Sequence, residues 1–127
     1  MKKGYIALTT VLIVGMVASV IMVSLLALGL GYSRSSNTSN LSMQARSLSN
    51  ACTEEALRQT RLVNTYTATN VTLSLSGGSC IYTVTNTGGN TRQIDATATV
   101  QTVVRKVRVT TSALSPKIVI SSWQEIQ

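Results

Sequence analysis

From Tyr5 to Tyr32 the chain reads YIALTTVLIVGMVASVIMVSLLALGLGY, without one charged residue. At ~1.5 Å per residue a helix of that length spans about 40 Å, more than the ~30 Å hydrocarbon core of a bilayer, so the segment can cross a membrane once. The stretch SRSSNTSN, residues 33–40, follows Gly29 and Gly31 and is a weak helix former, because its side chains compete with the backbone for hydrogen bonds. It is expected as a hinge or as an exposed linker. Helical spacing resumes at Leu41, Ala45, Leu48, Cys52 and Ala56, and Val63 rejoins the same face, which predicts a helix to about residue 63. Glu54 and Arg58 stand one turn apart on it, in the order that suits a surface ion pair.

After Asn64 the period falls to two. Val71, Leu73 and Leu75 alternate with Thr72, Ser74 and Ser76 until Gly77-Gly78; Cys80, Tyr82 and Val84 alternate in a second run. A turn cluster, Asn86-Thr87-Gly88-Gly89-Asn90, precedes a third run from Ile94 to Gln101. In a fourth, Val107 and Val109 share one face while Lys106, Arg108 and Thr110 share the other. Short connections predict an antiparallel meander. The Leu41 to Val63 helix is the apolar surface available to cover it. Pro116 ends the fourth run, and Ile118, Ile120 and Trp123 belong to a last strand or a docked tail.

Composition sharpens this α+β reading. Outside the apolar run and its leader remain about 95 residues, enough for one small domain. There is no His and no Phe, and the acids are Glu54, Glu55, Asp95 and Glu125 only. Acid–base catalysis has little to work with, and no metal-ligand spacing or phosphate-cradling loop occurs, so neither an enzyme nor a cofactor is expected. A thin core needs reinforcement. Cys52 and Cys80 supply it if they meet an oxidising compartment, where they read as a disulfide clamping helix to sheet; two unrelated buried thiols are the alternative.

Lys2 and Lys3 before the apolar run predict a cytoplasmic N-terminus and an exported remainder. Three fates for the run follow. It is a secretory signal cut near Gly29, a plain anchor, or something that also accounts for Gly4. Basic residues, then Gly, an aromatic residue and an uninterrupted apolar helix, KKGYIALTTVLIVGMVASV, resemble the signal of type IV pilins and of type II secretion pseudopilins. The resemblance implies a pilin-like fold, a long N-terminal helix on a small antiparallel sheet. It implies residues 1–4 as a leader, 5–32 as the membrane-spanning and filament-core helix, 33–40 as the polar joint and 41–127 as the extracellular domain. A prepilin peptidase would cut between Gly4 and Tyr5 and methylate Tyr5. The partners implied are other pilin subunits, membrane lipid before assembly, and the pilus assembly machinery. Most family members carry a glutamate at the fifth mature position, where this chain has Thr9. Minor subunits at or near the tip also lack it, which points to a minor subunit of a pilus, secretion or DNA-uptake filament on the cell surface.

The net charge of +7 adds one alternative. Arg92, Arg105, Lys106, Arg108 and Lys117 fall in the sheet region, where a basic surface can meet DNA phosphates or an anionic cell envelope, or is simply a solvated sheet face. No aromatic residue is interleaved in RKVR, so a single-strand stacking platform is not expected. A membrane-anchored extracellular binding domain unrelated to pili is the other alternative.

Overall fold

In a computed structural model describing residues 2–127, one helix and five strands follow in order. Helix α1 covers Lys2–Leu62 and the strands are β1 Ala68–Leu75, β2 Gly78–Gly88, β3 Thr91–Val100, β4 Val103–Ala113 and β5 Val119–Ile126. The chain divides into two compact units, residues 1–37 and 38–127. The boundary falls inside the polar stretch expected as a hinge or linker, yet residues 33–40 are helical throughout. Each Ser, Thr or Asn costs a helix only a few tenths of a kcal/mol, and no Gly or Pro interrupts residues 32–62. Extending a formed helix through such residues is therefore cheaper than nucleating a second one.

The strands form a single antiparallel meander ordered β1-β2-β3-β4-β5. The segment left open between strand and docked tail is the strand β5, paired to β4 with Val109 opposite Trp123. Central β3 alternates without a break, with Arg92, Ile94, Ala96, Ala98 and Val100 buried. Val107 and Val109 continue that face on β4, as their parity predicts.

The helix covers this face, with Cys52 and Ala56 packed among Cys80, Tyr82, Val84, Ile94, Ala96, Ala98, Val107 and Val109. The contact stripe differs from the expected one. Ala45, Ser49, Cys52, Thr53, Ala56 and Thr60 are buried, whereas Leu48 is only partly so and Val63, past the helix end, is half exposed. Small residues stand on both sides, Ala96 and Ala98 of β3 facing Cys52 and Ala56 in one cluster. The buried hydroxyls bond back into the helix, Thr53 Oγ1 to Ser49 O and Thr60 Oγ1 to Ala56 O, each at 2.8 Å. They therefore enter the core without an unsatisfied group.

Cys52 and Cys80 are joined, their Cα atoms 6.3 Å apart, so helix and sheet are clamped as the sequence predicts. Nearby, Gly78 admits no side chain: a Cβ there would lie 2.5 Å from Thr99 O and 3.0 Å from Leu48 Cδ2.

Candidate functional site

Two surfaces of this molecule offer themselves for contact. The first is the N-terminal part of α1, exposed from Lys2 to Asn40 except at the half-buried Thr9. It contains a helical stretch long and apolar enough to cross a membrane. Its hydroxyls are satisfied internally: Thr10 Oγ1 donates to Ile6 O at 2.7 Å, Ser19 Oγ to Met16 O at 2.7 Å and Ser24 Oγ to Val20 O at 2.8 Å. A lipid surrounding would demand this, since each unpaired polar group in hydrocarbon costs several kcal/mol. Thr9 Oγ1 faces Tyr5 O at 3.1 Å and Ile6 O at 2.9 Å, so its proton is held by its own helix. Gly4 and Tyr5 lie in the first turns. The position of a Cβ on Gly4 is open space, and Tyr5 is exposed.

The second is the domain of residues 38–127, where the five cations expected as a patch are dispersed. Arg92 is only 4% exposed and faces the core. Its guanidinium donates to Asn64 O at 2.7 Å, Asn86 Oδ1 at 2.9 Å, Thr91 O at 2.9 Å and Gly89 O at 3.0 Å. It thereby ties the turn after α1 to the β2–β3 connection and is removed from any outer contact surface. The signal was present in the sequence, because Arg92 shares parity with Ile94.

Arg105 donates to Glu125 at 3.0 Å and also to Ser42 Oγ, and Arg46 approaches the same carboxylate at 3.4 Å. Glu125 thus joins β5 to β4 and to the helix, a role its sequence position did not reveal. Arg108 is paired with Asp95 directly across β3 and β4, at 2.7 Å, and that carboxylate holds the guanidinium above its ordinary pKa. Lys106 projects from the same outer face. Lys117 lies in the connection before β5, beside Arg58 and Arg61 of the helix.

The expected Glu54–Arg58 pair is replaced by Glu55–Arg58. Arg58 donates to both oxygens of Glu55, at 2.8 and 2.7 Å, and Gln59 Nε2 donates to the same group at 2.8 Å. Two donors hold this carboxylate where Glu54, among the described residues, has none, and they lower the pKa of Glu55 to about 2, the Arg58 hydrogen bond first and Gln59 next. Behind it, Tyr82 is pushed up to about 12, chiefly by burial and then by the hydroxyl of Tyr66 at 3.1 Å.

Compared with protein-family models, with curated proteins and with solved structures, the chain matches none.

Proposed function

We propose that this chain is a structural subunit of a type IV pilus-like filament, inserted as a membrane-anchored precursor and assembled through its N-terminal helix. The observation that carries the proposal is the exposed, internally satisfied apolar helix that follows Lys2, Lys3 and Gly4 and continues, without a break, into the cover of a disulfide-braced sheet. A helix so exposed must be surrounded by lipid, or by other helices, to hide its apolar side chains. Filament assembly exchanges the first surrounding for the second.

Lys2 and Lys3 favour a cytoplasmic N-terminus, with residues 38–127 outside. The disulfide supports that orientation, since such bonds persist in oxidising compartments. Cleavage by a prepilin peptidase after Gly4 makes Tyr5 the methylated first residue. Thr9 offers no carboxylate to a neighbouring N-terminal amine, and its hydroxyl is engaged with its own backbone. This supports a minor or tip subunit over the main component of a shaft. The partners are then related subunits, the peptidase and the assembly machinery.

Mass spectrometry of the protein from its native membrane tests this reading. The expected mature chain begins at N-methylated Tyr5. Retention of Met-Lys-Lys-Gly identifies a plain anchor instead, and a start near Leu30 or Tyr32 identifies a secreted domain.

A further inference from the structure

Between the last turns of α1 and the beginning of β5 lies an open groove of about 410 Å³. Its apolar walls are Leu57 of the helix, half-buried Ile118, and Ile120 of β5, 43% exposed. Arg58 and Arg61 line its helix side and Lys117 the other, with Glu54 as the one carboxylate among them.

Most of the exposed arginines of the domain are paired. Arg46 and Arg105 share Glu125, Arg108 has Asp95, and Arg58 has Glu55. Among the described residues, Arg61 and Lys117 enter no ion pair, so the groove combines two unpaired cations, against the single unpaired carboxylate of Glu54, with an aliphatic lining. We propose that it docks an acidic, apolar peptide segment of a partner protein, with carboxylates on Arg61 and Lys117 and an aliphatic side chain against Leu57, Ile118 and Ile120. The groove belongs wholly to residues 38–127, so the proposal does not depend on how the N-terminal helix is used.

Two features favour a peptide held by its side chains. Register shifts between Thr110 and Ala113 disturb the pairing of β5 just beside the groove, which makes this edge a poor template for an added strand. A nucleic acid needs a row of cations following its phosphates, and here another exposed cation without an ion pair, Lys106, projects from the sheet face turned away from α1. The aliphatic walls of Leu57, Ile118 and Ile120 also suit an apolar side chain, which a polyphosphate chain lacks.

The test is fluorescence anisotropy with the full chain in zwitterionic detergent micelles. The probe is a short fluorescein-labelled peptide of alternating Glu and Leu; peptides alternating Glu with Ser, and Ser with Leu, are the comparisons. The Glu–Leu peptide is expected to bind at least about tenfold more tightly than either. Arg61→Glu with Lys117→Glu is expected to weaken it by about tenfold or more, Ile120→Ser to weaken it independently, and Lys106→Glu to leave it unchanged. An equal loss in Lys106→Glu would show only diffuse attraction and overturn the site. Equal binding of the Ser–Leu peptide, no binding of the Glu–Leu peptide, or its displacement by duplex DNA at lower concentration would also overturn it, the last in favour of a phosphate polymer.

Discussion

Arg92 brings a full charge into the core, where it meets four oxygen acceptors and, among the described residues, no carboxylate. Hydrogen bonds from a charged donor to carbonyls are stronger than neutral ones, and cutting them strands their acceptors. Arg92→Met is therefore expected to lower unfolding free energy by about 2–4 kcal/mol, read from the urea midpoint. Amide exchange at residues 64–66 and 86–91 should accelerate first, because those are the segments Arg92 joins. Tyr82 gives a pH signature. Its pKa is raised from ~10 in the unfolded chain to about 12 in the fold, so its contribution is complete below pH ~10 and is lost as pH rises toward 12. Tyr82→Phe is expected to lose about 1 kcal/mol at neutral pH, with the Tyr66 hydrogen bond. In exchange its stability should fall less between pH 10 and 12 than that of the parent chain, as equilibrium unfolding across that range will show.

At the scale of elements, the strands were the readable part, because a half-buried antiparallel strand must alternate. Val107 and Val109 against Lys106 and Arg108 state their faces outright. The helix was harder to read. Its contact face includes Ser49, Thr53 and Thr60, polar types that a search for apolar periodicity passes over, and their burial depends on hydrogen bonds formed only once the helix exists. Arg92 was misplaced for a related reason: its charge outweighed its parity. The continuity of residues 33–40 was illegible from composition, since local preference there is weak and the flanking helix decides. The clamp between elements is the disulfide, and the chain-entropy model assigns a loop closed at a sequence separation of 28 roughly 3–4 kcal/mol. Cys52→Ala with Cys80→Ala is expected to lower stability by about that amount while keeping the sheet, measured by denaturant unfolding and circular dichroism.

For the whole molecule, the sequence shows a division of labour. Residues before Asn37 carry an uncharged apolar run long enough to cross a membrane; residues after it carry all four acids and most of the cations. Of the candidate positions, Gly4, Tyr5 and Thr9 stand in a linear pattern, so the sequence alone suffices to propose them. The groove around Arg61, Lys117 and Ile120 was not legible there, because it joins residues about sixty positions apart and depends on which cations the fold neutralises.

The bond between Cys52 and Cys80 also sets how the chain bears tension. A pull applied between the N-terminal helix and the C-terminal strand passes from Cys52 to Cys80 through the sulfurs and bypasses the polypeptide between them. That bypass shields β1 and the last turns of α1 from the load and withholds about 100 Å of extensible length, at ~3.5 Å per residue. Under an oxidising sky the domain is a short, stiff link; reduced, it becomes a longer tether.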